Sequence, residues 1–182
     1  MDVRAEDVAA SKRLLAAIGE GALLLGATLK AVYPQMQPRR RLFKRATIPE
    51  SLEVPTFTET WVYVAALLVS LVETWPAKPR SAEAVVPMLE SALFEARCLT
   101  ARPLYNSYRQ RYQEREPRDS RVLPREGVIH TLFAQRVATI WELPAERVST
   151  FADTSYAVTQ KMEAGLRRVL EEVWPASTGS GT

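Results

Sequence analysis

The run Trp61-Val62-Tyr63-Val64-Ala65-Ala66-Leu67-Leu68-Val69 constrains the fold of this chain more than any other feature. Coiled as an α-helix, it is apolar on all sides, so it must be surrounded by neighbouring elements over most of its circumference or buried in an oligomer interface. It is the expected central helix, over residues 57–75. The remaining sequence supplies helical neighbours. Only 7 Gly are present, Ala and Leu are abundant, and clustered runs of Val, Ile or Thr are few, which favours helices over a sheet. A chain of 182 residues that is 47% hydrophobic and 25% charged can build one substantial core. The expectation is an all-α, single-domain bundle of about six helices over residues 1–174, with a disordered Ser-, Gly- and Thr-rich tail over 175–182.

Local periodicity places the other helices. From about Asp7 to Tyr33, Leu15, Ile18, Ala22, Leu25, Leu29 and Val32 recur at steps of three and four, one stripe of an amphipathic helix. Gly19, Gly21 and Gly26 each weaken it by roughly 1 kcal/mol, which close packing of another helix would offset. Pro34, Pro38, Pro49 and Pro55 make residues 34–55 read as an irregular connector, of a length that is often functional. Thr56 and Glu59 fit a capping box that starts the central helix. Pro76 and Pro79 end it, and Ser81 can cap a third helix, in which Pro87 sits in the first turn or makes a kink. A fourth helix follows Pro103. A fifth carries Val128, Leu132, Phe133, Val137, Ile140 and Trp141, and Pro144 opens a last long one with Val148, Phe151, Ser155, Val158, Met162, Gly165 and Val169 on its stripe.

Several classes of chemistry find no support in the residues. Cys98 is the only cysteine, so no intrachain disulfide forms, and an intracellular, cytoplasmic location is the simplest expectation. The N-terminus lacks the basic-then-apolar order of a secretory signal. The apolar stretch from Trp61 to Trp75, interrupted by Ser70, Glu73 and Thr74, is shorter than the roughly 20 residues a bilayer needs, so no transmembrane segment is expected. One His and one Cys cannot supply an ordinary metal cluster, and no cofactor or nucleotide loop of the GxxxxGK or GxGxxG type is present.

Charge placement points to phosphate. Arg39-Arg40-Arg41-Leu42-Phe43-Lys44-Arg45 holds five cations and no acid, and Arg97 through Arg125 holds eight Arg against Glu114, Glu116 and Asp119. The chain's net charge of +3 therefore conceals two basic stretches on an acidic body. Arg39, Arg40, Arg41, Lys44 and Arg45 can neutralise backbone phosphates, and Phe43 can stack on an unpaired base. Tyr105, Tyr108 and Tyr112, interleaved with Arg109, Arg111, Arg115, Arg118 and Arg121, have the aromatic and guanidinium alternation of single-stranded nucleic-acid sites. The competing reading turns Leu104, Tyr108 and Tyr112 into the core and leaves the arginines in water.

His130 is the only histidine and stands five residues after Arg125, in Arg125-Glu126-Gly127-Val128-Ile129-His130. With the following Phe133 and Ile140-Trp141-Glu142, this segment resembles the R-x4-6-H motif of HEPN domains, an all-helical family of mostly metal-independent ribonucleases and toxin components. The resemblance implies that His130 would shuttle the proton during attack of a ribose 2′-hydroxyl on phosphate, while Arg125 would stabilise the developing charge. Five residues turn a helix by about 140°, so Arg125 would have to lie in the first turn or the preceding loop, or the site would be completed across a dimer. Glu126, one turn before His130, could pair with it.

Three functions follow from these features. The first is a nucleic-acid-associated helical protein, or subunit of a nucleoprotein assembly, that binds the backbone of RNA or single-stranded DNA without strong sequence readout. The second is an HEPN-like metal-independent ribonuclease using Arg125 and His130. The third is a non-enzymatic scaffold whose apolar helix meets protein partners or a second copy in a homodimer.

Overall fold

The computed structural model describes residues 4–37, 47–77, 79, 83–95, 101–114 and 129–175. Six helices occur among them: α1 (Ala5–Met36), α2 (Glu50–Thr74), α3 (Val85–Glu95), α4 (Arg102–Glu114), α5 (Ile129–Ile140) and α6 (Ala145–Val173). They form an all-α, single-domain bundle. Every residue from Val62 to Val72 is buried, and α2 packs against all five other helices, which is how its apolar circumference is satisfied.

Side-chain pairs fix the directions. Lys30 meets Glu53, and a Cβ on Gly21 would lie 3.1 Å from a Val64 methyl, so α1 and α2 run antiparallel. Arg13 bonds Glu172 and Gly21 approaches Met162, so α6 is antiparallel to α1 as well. One end of the bundle thus gathers the end of α1, the start of α2, the end of α5 and the start of α6. Trp141 locks it: its ring packs edge-on to Tyr33 at 5.0 Å and against Phe151 at 5.0 Å, and its indole N–H donates to the Thr56 hydroxyl at 2.9 Å.

The prolines mislead at the connector between α1 and α2. The α1 helix continues through Pro34 to Met36, and α2 begins at Glu50, six residues before Thr56, with Pro55 inside it. Burial of Met36, Ile48 and part of Leu52 in the core outweighs the backbone hydrogen bonds that the two prolines delete. Glu50 and Glu53 in the first turn of α2 complement the helix dipole in place of the expected capping box. Pro87 is the third residue of α3, and Pro144 is the N-cap of α6 rather than its first helical residue. Ser81 lies outside the described residues.

Two stripes also differ in detail. In α1 the buried positions are Leu14, Ile18, Ala22, Leu25 and Leu29, with Leu15 and Val32 only partly covered. Of its glycines, only Gly21 meets a close neighbour, since a Cβ on Gly19 would find open space and one on Gly26 would touch Phe57 at 3.9 Å. In α6 the buried face is Phe151, Ser155, Thr159, Met162, Glu163, Leu166 and Leu170, so Val158 and Gly165 are displaced from it. By length and composition α1 and α2 are each long and apolar enough to cross a bilayer, a test that the core helix of a bundle also passes, and most of the apolar window in α2 is buried inside the bundle.

Candidate functional site

The interior of this bundle contains charge. The α2 helix places Glu59 and Tyr63 one turn apart on its buried surface, α4 contributes Tyr108, α5 contributes His130 and Arg136, and α6 contributes Glu163 and Arg167. Tyr63 Oη lies 2.6 Å from His130 Nδ1, and His130 Nε2 lies 3.1 Å from Glu163 Oε2. A ring protonated at Nε2 alone satisfies both contacts, with the Tyr63 hydroxyl donating and Glu163 accepting. Arg167, one turn after Glu163, donates to its other oxygen from Nε at 3.2 Å and Nη2 at 2.9 Å. The second carboxylate, Glu59, accepts the Tyr108 hydroxyl and, at 2.7 Å, Arg136 Nε.

Aromatic contacts join the two halves. Tyr63 stacks on Phe133 with centroids 4.4 Å apart and meets Tyr108 edge-on at 5.6 Å, while the His130 ring faces the Tyr156 ring edge-on at 5.7 Å. Glu59 and Glu163 each accept from an arginine that reaches in from the surface, which offsets part of the cost of burying a carboxylate. Burial, reinforced by the charge and hydrogen bond of Glu59, holds the Tyr108 phenol well above its ordinary value, so it stays a donor at neutral pH. Of these seven residues, only Arg136 and Arg167 extend into solvent.

His130 is 1% exposed and both ring nitrogens are engaged. The carboxylate that meets its Nε2 is Glu163, on α6. Arg125 and Glu126 lie outside the described residues. Among the described residues, no group of three or more His, Cys, Asp and Glu side chains converges to hold a metal ion.

The expected tyrosine and arginine surface divides. Tyr105, Tyr108 and Tyr112 are all buried and unavailable for stacking on bases, so the core-facing alternative describes them. Tyr105 donates to Glu90 at 2.8 Å and packs edge-on against Phe94, and burial, with Glu90 adding to it and Arg109 opposing it, raises its pKa. Arg109 is also removed from the surface: it bonds Glu73 at 2.5 Å, lies over the Tyr105 ring and donates to its hydroxyl at 3.3 Å. Burial opposes its charge, but the Glu73 bond and the nearby Tyr105 and Glu90 outweigh that cost and its pKa is raised. Arg111 is exposed on the last turn of α4. Arg39, Arg40, Arg41, Phe43, Lys44, Arg45, Arg115, Arg118 and Arg121 fall outside the described residues.

No protein-family model, curated protein or solved structure matches this chain. Sequence reasoning missed Glu59, Tyr63, Arg136, Glu163 and Arg167 as a group. One signal was available, namely an acid at Glu59 and a phenol at Tyr63 spaced one turn apart in an otherwise apolar helix, where each must find a buried partner.

Proposed function

We propose that this protein is a nucleic-acid-associated helical protein, or a subunit of a nucleoprotein assembly, that holds the phosphate backbone through its basic sequence segments. The observation that supports this reading is the partition of charge between the described residues and the rest of the sequence. Among the described residues, 17 Asp and Glu stand against 12 Lys and Arg. Several of those cations are used inside the fold, as Arg13 with Glu20 and Glu172, Lys30 with Glu53, Arg109 with Glu73, Arg136 with Glu59 and Arg167 with Glu163. An acid-rich body repels a polyanion, so affinity would have to come from Arg39–Arg45 and from Arg115, Arg118, Arg121 and Arg125. With the tyrosines buried, the contact is electrostatic and sequence-independent rather than a stacking platform.

Binding of the full chain to labelled single-stranded RNA, single-stranded DNA and duplex DNA over a salt series tests the proposal. Affinity falls steeply with salt, and replacing Arg39, Arg40 and Arg41 together by Ala lowers the slope of log K against log salt by about 2–3, at roughly 0.7–0.9 per phosphate contact. Absence of binding at low salt, or a slope unchanged in the triple variant, sinks it. The same RNA samples, run on a denaturing gel after incubation in EDTA, report on the ribonuclease reading. Cleavage that His130→Asn abolishes, in a variant that remains helical, would replace binding by catalysis as the function.

A further inference from the structure

The α1 helix keeps one apolar face in water. Ala16, Glu20, Leu23, Ala27, Lys30 and Pro34 are all exposed, and they are separated by 4, 3, 4, 3 and 4 residues, the alternation of a coiled-coil seam. Leu23 and Leu24 are each 65% exposed, and the start of α2 widens the patch with Val54 at 72% and Phe57 at 45%. Between the two helices runs an apolar cleft of about 240 Å³, floored by Gly26 and Ala27 and flanked by Leu23, Ile48 and Phe57. Apolar surface gathered in one place on a solvent-facing side marks a contact site.

The order of residues along the seam says what covers it. We propose that this face pairs with the same face of a second copy of the chain, the two α1 helices lying antiparallel about a two-fold axis beside Leu25. Residues equidistant from Leu25 then meet in layers. Leu23 packs on Ala27 of the second copy, large against small, and Ala27 receives the second copy's Leu23 in return. Glu20 faces Lys30 of the second copy and Lys30 faces the second copy's Glu20, so opposite charges meet in both symmetric layers. Ala16 falls opposite Pro34, again without a clash of bulk. In an antiparallel seam the two kinds of core position alternate across each layer, and all of these pairs obey that rule.

Other registers are worse. A parallel pairing sets Glu20 against Glu20 and Lys30 against Lys30, while an antiparallel shift by one heptad sets Glu20 against Leu23 and Lys30 against Arg13, or Glu20 against Gln37 and Lys30 against Ala27, so neither charge meets its opposite. A bilayer surface would bury the Glu20 carboxylate within the apolar stripe, at a cost that its exposed 3.6 Å contact with Arg13 offsets only weakly. Within one chain Glu20 is 3.6 Å from Arg13 and Lys30 is 2.8 Å from Glu53. Both pairs are solvent-exposed and hold their partners weakly, so they leave the charges available to the seam.

Sedimentation equilibrium on the full chain tests the pairing, with a dimer of twice the 20.4 kDa chain mass expected. Leu23→Glu, an exposed position whose substitution leaves the core intact, gives a monomer with unchanged helicity. Glu20→Lys and Lys30→Glu each place like charges in two layers and weaken the dimer about tenfold, while the double variant returns it to within about threefold of wild type. That recovery cannot come from within one chain, because the double swap sets Lys beside Arg13 and Glu beside Glu53. A wild-type chain that stays monomeric at its highest soluble concentration overturns the proposal, and so does a double variant no tighter than its parents. Binding to zwitterionic lipid vesicles that requires Leu23 and Phe57, with no dimer in solution, would assign the face to a membrane and overturn it equally.

Discussion

Tyr63→Phe deletes one oxygen from the centre of the buried network. The ring remains, with its stack on Phe133 at 4.4 Å and its edge contact with Tyr108 at 5.6 Å, so no cavity larger than a hydroxyl opens. What disappears is the 2.6 Å bond to His130 Nδ1, between two residues that are 0% and 1% exposed. A buried acceptor left without its donor costs about 1–3 kcal/mol, a roughly 5- to 150-fold loss in the folding equilibrium. For a chain of this length the midpoint temperature drops by about 2–4 °C per kcal/mol. Urea unfolding followed by circular dichroism measures the change, with the denaturant slope unaltered. Repeating the substitution in a His130→Leu background isolates the pair, because the acceptor is then gone and Tyr63→Phe loses at least 1 kcal/mol less, roughly, than before. A loss below about 0.5 kcal/mol in the wild-type background, or an equal loss in both, refutes an energetic role for this bond.

Four further outcomes follow from particular positions. Gly165 lies on an exposed turn of α6, where an added Cβ would meet nothing within 4 Å, so Gly165→Ala raises stability by about 0.5–1 kcal/mol, whereas Gly21→Leu, forced against Met162 and Val64, lowers it by about 1–3 kcal/mol in the same urea assay. Glu142 adopts φ 50° where Leu143 N–H bonds Ala138 O at 3.0 Å and Glu142 N–H bonds Thr139 O at 3.1 Å, a Schellman turn that favours glycine, and Glu142→Gly gains about 0.5–1 kcal/mol by calorimetry. The Tyr108 pKa in the folded state lies above its unfolded value of 10.0, so its stabilisation is intact below pH 10 and is lost as pH rises beyond it. Stability then falls by up to about 1.4 kcal/mol per pH unit for each such phenol, and Tyr108→Phe removes that share of the slope in alkaline urea titrations.

Much of the fold was legible because burial and helical period coincide in it. The run from Trp61 to Val69 has no polar side, and it lies at the centre of the bundle. Ile18, Ala22, Leu25 and Leu29 form the inner face of α1 as their spacing predicts. Legibility failed where a local rule met a tertiary one. Pro34 and Pro55 read as boundaries, yet both are helical because Met36 and Ile48 gain more from the core than the prolines cost. Thr56 and Glu59 read as a cap, but their side chains belong to Trp141, Tyr108 and Arg136, residues 85, 49 and 77 positions away. The α6 stripe was misplaced because Thr159 and Glu163 count as solvent-facing in any apolar pattern. In the fold, Thr159 bonds the Ser155 carbonyl at 2.9 Å and Glu163 holds His130, so both are buried.

The same asymmetry governs the interior network. A sequence offers His130 only its neighbours one turn away, while Tyr63 and Glu163, which meet its two ring nitrogens, are 67 residues before it and 33 after. Such contacts bring little net stability over well-packed apolar residues, since each buried charge must first be stripped of water. Their consequence is registry. Rotating α5 by one residue, about 100°, would part His130 from both Tyr63 and Glu163 and Arg136 from Glu59 at once. Apolar side chains such as Phe133 and Val137 would tolerate that slip far better, because dispersion contacts have no fixed direction. Hydrogen bonds and ion pairs do, so the charged residues set how α5 is seated against α2 and α6, and the apolar residues hold it there.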